Sequence, residues 1–166
     1  MFKAGFALAL AAAVAGCQGP GKRLAAFNPE EYEPYARAGT GAIVGQAFLV
    51  RDDGIPVPAA GRTVFCNPVT TYSTEFYNRW VVGYEVLEES DPRADEAPFW
   101  KTTGDVDGRF RFEGLPAGEY YVYSWINWQA IDSNSYVGAY RYNTGGVAHA
   151  RVTVREGETT SVIVTR

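Results

Sequence analysis

Arg109-Phe110-Arg111-Phe112 alternates charged and aromatic residues, a two-residue period that places Phe110 and Phe112 on one face of a half-buried strand. Gly104-Asp105-Val106-Asp107-Gly108 precedes it and Leu115-Pro116-Ala117-Gly118 follows it, both rich in residues that turn a chain cheaply. Glu119 to Trp125 then returns as a second strand. Alternation puts Tyr120 and Val122 on one side, and Tyr121, Tyr123 and Trp125 on the other. With Tyr120 and Val122 in the core, the second set forms an aromatic outer face. Such a face needs a covering element or serves as a binding surface.

The same pattern predicts strands at Ala42 to Val50, Gly61 to Asn67, Pro98 to Thr102, Val147 to Val154 and Thr160 to Thr165. Ile55 to Ala60 contains Pro56 and Pro58 and cannot be a central strand, because proline donates no ladder hydrogen bond. One stretch has a different period. Phe76, Tyr77, Trp80 and Val81 fall on one face of a short helix over residues 74–82, with Ser73 as its N-cap. This helix is expected to cover the aromatic outer face. Glu88 to Ala97 is acidic, carries Pro92 and reads as a solvated loop. After Trp128, Asp132 to Thr144 reads as a long aromatic loop with Tyr136, Tyr140 and Tyr142, closed by Gly145-Gly146.

The motif Thr-x-x-Asp-Gly-x-Phe-x-Phe-x-x-Leu-Pro-x-Gly-x-Tyr-x-Val, from Thr103 to Val122, resembles the carboxypeptidase regulatory-like domain. Gly41, Gly45, Ala47 and Phe48, and the strand start Gly61-Arg62-Thr63-Val64, resemble that family's first two strands. The resemblance spans residues 40–166. It implies an all-β, transthyretin-like antiparallel β-sandwich of about seven strands, here with one short inserted helix. It implies no activity, since a fold of this kind serves many partners.

The first residues read as an address. Lys3 is followed by an apolar run from Ala4 to Ala15, too short to span a bilayer and suited to a signal peptide. Val14-Ala15-Gly16-Cys17 is similar to a bacterial lipobox. The division expected is a signal peptide over 1–16, then a lipidated Cys17 and flexible tether over 17–39, then the sandwich over 40–166. The covalent lipid on Cys17 would anchor the chain to a membrane, since acyl chains contribute about 0.8 kcal/mol per buried methylene. Gln18 after the cysteine favours the outer membrane, facing the periplasm or the cell surface. Asn28 and Pro29 can start one helical turn within the tether.

Charge and chemistry narrow the function. A formal charge of −4 at pH 7 argues against a nucleic-acid partner. With Cys17 lipidated, Cys66 is left without a disulfide partner and reads as a small buried hydrophobe. The single histidine, His149, rules out an HExxH pair. Asp105-Val106-Asp107-Gly108 lacks the further ligands of an EF-hand loop and reads as a plain turn. No catalytic residue, metal site or cofactor is expected.

These readings point first to a non-enzymatic, membrane-anchored envelope lipoprotein whose sandwich is a structural or protein-interaction module. The alternative is a carbohydrate- or peptide-binding module using Trp125, Trp128, Tyr136 and Tyr140, so the partner is an envelope protein or a glycan. A third is an envelope hydrolase built on carboxylates such as Glu75, Glu85, Glu88 and Glu89. The anchoring expectation is tested by metabolic labelling in a bacterial host: the chain incorporates labelled palmitate, and Cys17→Ser abolishes the label and moves the protein to the soluble fraction. Labelled Cys17→Ser protein would contradict it.

Overall fold

The protein is described by a computed structural model over residues 19–132 and 138–166. Eight strands make two sheets. They are β1 (Gly41–Val50), β2 (Pro56–Pro58), β3 (Thr63–Pro68), β4 (Trp100–Thr103), β5 (Arg109–Leu115), β6 (Gly118–Asp132), β7 (Tyr140–Val154) and β8 (Thr159–Val164). In the first sheet β1 is central, pairing with β5, with β8 and, at its far end, with β2. The second has the order β4-β3-β6-β7. The proline-flanked β2 pairs only with the last three residues of β1, where missing amide donors are tolerated. The architecture is the all-β sandwich expected. One pair departs from the antiparallel rule: β8 runs parallel to β1, from Ala42 opposite Thr159 to Ala47 opposite Val164.

Inward-facing residues of both sheets form the core. Ile43, Val64, Leu115, Tyr120, Val122 and Val164 are fully buried there, with Phe110 and Phe112 alongside. Buried Tyr120 satisfies its hydroxyl by donating to the Pro116 carbonyl at 2.7 Å. The two sheets also meet at one end, where the His149 amide of β7 donates to the Thr165 carbonyl just past β8.

The insertion between β3 and β4 starts with helix α1 (Thr71–Phe76), which continues as a π-helical segment, Tyr77–Val82. The helix begins earlier than its apolar spacing indicated. Thr70, not Ser73, is the N-cap. The Thr70 hydroxyl accepts from the Ser73 amide at 3.1 Å, and the Ser73 hydroxyl accepts from the Thr70 amide at 2.9 Å. This is a capping box with serine in the reciprocal position. The acidic loop carries a single 3-10 segment, Pro92–Glu96, capped by Asp91, and is otherwise mostly exposed.

Two further segments differ from the sequence reading. The presumed tether is docked rather than free. Gly21 bridges to Leu87, the Leu24 and Ala25 amides donate to the Glu75 carboxylate, and Phe27 and Tyr32 are buried against Tyr72. Its apolar positions are too few and too widely spaced to show a periodicity, yet each finds a place on the insertion. The 3-10 helix that Asn28 caps runs through Pro34 to Tyr35. Of the loop expected over 132–144, Asp132 and residues 140–144 are strand. β6 and β7 pair without interruption from Gly118 opposite Val154 to Asp132 opposite Tyr140. Since β3 leaves β6 at Ser124, the remainder extends as a two-stranded ribbon.

The stability ranking follows from burial. Ile43→Ala lowers the unfolding free energy by about 2–5 kcal/mol, as expected for an emptied core site, and Thr70→Ala by about 1 kcal/mol through its lost cap. Urea unfolding of the two variants checks the order, and a larger loss for Thr70→Ala would contradict it.

Candidate functional site

The outer face of β6 is covered over part of its length. Tyr77 stacks on Tyr121 with ring centroids 3.9 Å apart and planes at 14°. Val81 is fully buried beside Tyr121, Tyr123 and Val147, and Phe76 approaches Tyr123. The cover stops at Trp125, which stays 46% exposed. Trp80 leans on it from the π-helical segment at 5.9 Å, and Tyr84 meets it edge-on at 6.5 Å and 74°. Phe76 backs Trp80 in a stack at 5.0 Å.

Tyr84 has the one positive φ found on a non-glycine residue among those described, +55°. A bulky side chain in this left-handed region stores strain on the order of 1–3 kcal/mol. Gly83, which could take such a conformation freely, stays right-handed at −88°. Polar contacts hold Tyr84 in place: its hydroxyl accepts from the Val147 amide at 3.1 Å and from Arg166 at 2.7 Å. Trp80, Tyr84 and Trp125 therefore form a fixed aromatic corner where the insertion meets the ribbon. Asn127, two residues beyond Trp125 on the same face, adds an exposed amide.

Among the described residues singled out from sequence, Trp125 stands apart from Trp128 and Tyr140. Trp125 and Trp128 differ in parity along an unbroken strand, so they point to opposite faces of the ribbon. Trp128 is partly buried and packs against the main core. Tyr140 and Tyr142 share its face, 48% and 44% exposed, with rings 5.9 Å apart. Tyr136 and Cys17 lie outside the described residues. Trp80 appeared in the sequence only as part of a covering helix. Tyr84 carries no pattern signal beyond its place after Val82-Gly83.

The carboxylates of the hydrolase reading are already engaged. Arg79 lies between Glu75 and Glu85, donating to Glu85 from Nε at 2.7 Å and to Glu75 from its other arm. Burial works against the Glu75 carboxylate, but the Leu24 and Ala25 amides and Arg79 outweigh it and hold its pKa below the ordinary range. The Arg79 hydrogen bond likewise lowers Glu85. Such a pair is poorly suited to holding a proton for general-acid catalysis. Glu88 and Glu89 are exposed. The Asp105 carboxylate accepts from the Asp107 and Arg109 amides, and Asp107 pairs with Arg109, so both acids serve the turn. Among the described residues there is no group of three metal-ligating side chains. Cys66 is fully buried, and burial pushes its thiol pKa strongly up.

His149 touches the insertion: its Nδ1 is 2.8 Å from the Tyr77 hydroxyl. Burial, followed by the charge of Arg166, lowers its pKa.

No known protein-family profile matches the chain, and no curated protein does. Among solved structures it is similar to the crystal structure of a "putative carbohydrate binding protein" from Pseudomonas aeruginosa, at 26% identity and a TM-score of 0.75. The match covers 87% of this chain and 100% of that one.

The His149 contact predicts a pH dependence. A histidine with a depressed folded pKa contributes no penalty above its unfolded value of 6.5, and stability is lost as pH falls below that value. Glu75 and Glu85, whose shifts start from a reference of 4.5, lose their contribution only at lower pH. Melting temperature therefore falls between pH 7.5 and 5, and His149→Gln flattens that fall. An equally steep fall in His149→Gln would contradict the assignment.

Proposed function

We propose that this chain is a non-catalytic glycan-binding module of a bacterial envelope, held there by lipid on Cys17, with Trp80, Tyr84 and Trp125 as its sugar-facing surface. The observation that carries this reading is the aromatic corner itself. Two of its rings are nearly half exposed, and one is kept in a strained backbone conformation by hydrogen bonds from Val147 and Arg166. Sugar rings present C–H faces that pack on aromatic rings, and their hydroxyls reach for polar groups at the rim. Asn127 and Arg166 supply such groups. Similarity to the Pseudomonas protein along its whole length supports the same reading.

The purely structural reading leaves this corner without a purpose. Trp125 stays exposed where Tyr121 and Tyr123 on the same face are buried. The anchor follows from the Cys17 motif and gains a geometric consequence. Because the segment is docked from Gly21 onward, only four peptide steps separate it from Cys17, a reach of at most about 14 Å. The domain would sit directly on the membrane surface rather than about 25 Å away on a flexible chain.

Tryptophan fluorescence of the full chain in mild detergent, titrated with peptidoglycan fragments and envelope polysaccharides, tests the site. A saturable change is expected, weakened at least about tenfold, or 1.4 kcal/mol, by Trp125→Ala. Tyr142→Ala on the opposite face leaves it within about twofold, less than 0.5 kcal/mol. Unchanged binding in Trp125→Ala, or loss in Tyr142→Ala alone, would overturn the assignment.

A further inference from the structure

A second feature of the insertion lies beside the aromatic corner and shares Phe76 with it. A cleft of about 270 Å³ opens between the docked N-terminal segment, helix α1, the 90–99 loop and the outer face of β6. Tyr72, Phe76, Phe99 and Tyr123 wall it, and Arg23 lies in it. The Arg23 guanidinium stacks over Tyr72 at 4.7 Å and donates from one arm to the Ser90 hydroxyl at 3.2 Å. Its Nε and its other arm are buried and have no hydrogen-bond partner among the described residues.

That arrangement is unusual for a guanidinium, whose N–H groups are costly to bury without acceptors. Arg79, on the same insertion, shows the normal solution. Its Nε and one arm grip both oxygens of Glu85, and its remaining arm reaches Glu75 and the Lys22 carbonyl. Asp95 lines the cleft but makes no ion pair with Arg23. Each two-donor edge of the guanidinium, Nε with Nη2 and Nη1 with Nη2, therefore has one place without an acceptor and one held by Ser90, so a planar, two-oxygen acceptor, the group that arginine matches best, would take an edge by displacing Ser90.

We propose that this cleft is an acidic-sugar subsite, in which Arg23 takes the carboxylate of a uronate residue while the aromatic walls pack on the sugar ring. Ser90 is the gate. It sits on an exposed stretch, and the hydroxyl contact it makes is the one a carboxylate would replace as the guanidinium edge opens. The inference rests on the glycan reading and specifies its substrate class.

The test compares a galacturonate hexamer with the same hexamer methyl-esterified on every carboxyl, titrated calorimetrically into the full chain in mild detergent at physiological salt. The free acid is expected to bind at least about tenfold more tightly than the ester. Arg23→Gln brings the two within about twofold without weakening the ester. Equal affinities in the wild type, or a folded Arg23→Gln that keeps the preference, overturn the inference and leave the glycan reading intact. Binding of neither form also overturns it, and the polysaccharide titration then decides the glycan reading separately. Should Arg23→Gln fail to fold by circular dichroism, the Arg23 Nε–H resonance of the wild type serves instead. A shift of that resonance with the acid but not the ester supports the subsite, and no shift overturns it.

Discussion

Tyr121 and Tyr123 point away from the sandwich core, and a strand with two adjacent tyrosines on its outer face requires a cover. The insertion between β3 and β4 supplies it through the Tyr77–Tyr121 stack and the buried side chain of Val81. That contact has consequences along the chain. It fixes the helix that carries Glu75 and Arg79, and those two side chains in turn bind Leu24, Ala25 and Lys22 of the N-terminal segment. It also ends at Trp125, and in ending there it leaves Trp80 and Tyr84 beside an exposed ring. The covering element and the candidate site are one construction seen from its two ends.

The electrostatics follow the same division. Arg79 is matched by two carboxylates and acts as a pin between the helix, the turn after it and the N-terminal segment. Arg23, a short distance along that segment, is matched by one hydroxyl and an aromatic face. Most of the remaining ion pairs are exposed and join residues close in sequence, where such pairs contribute little. A fully matched arginine on the insertion and a partly matched one on the segment docked against it thus lie at the same contact region.

Much of the sandwich was legible in the sequence because its strands bury one face. Arg109 to Phe112 and Tyr120 to Val122 alternate cleanly, and the structure keeps that alternation. The Phe76, Tyr77, Trp80, Val81 spacing gave the cover, since a helix packed on one side leaves a 3.6-residue trace. The legible part ends where burial ends. Asp132 and residues 140–144 lie in the far part of the ribbon, where side chains are mostly exposed and no core-facing pattern marks them, and their polar residues and tyrosines read as a loop. Trp128 lies beyond a strand that reads as ending at Trp125, so the opposite parity of Trp125 and Trp128 carries no weight in the sequence. The docked segment, the parallel β1–β8 pairing and the left-handed Tyr84 depend on partners distant in sequence. Arg23 is the same case: nothing near it in the chain indicates that its acceptors are missing.

On the proposed function, sugar binds where the cover stops, on Trp80 and Trp125, and not on the far face of the ribbon. Indole N–H resonances of the tryptophans, followed by NMR during titration with a bound envelope oligosaccharide, distinguish the two directly. The Trp80 and Trp125 signals are expected to move together while Trp128 and Trp100, which pack against the main core, stay fixed. Movement of Trp128 without Trp80 and Trp125 would contradict it.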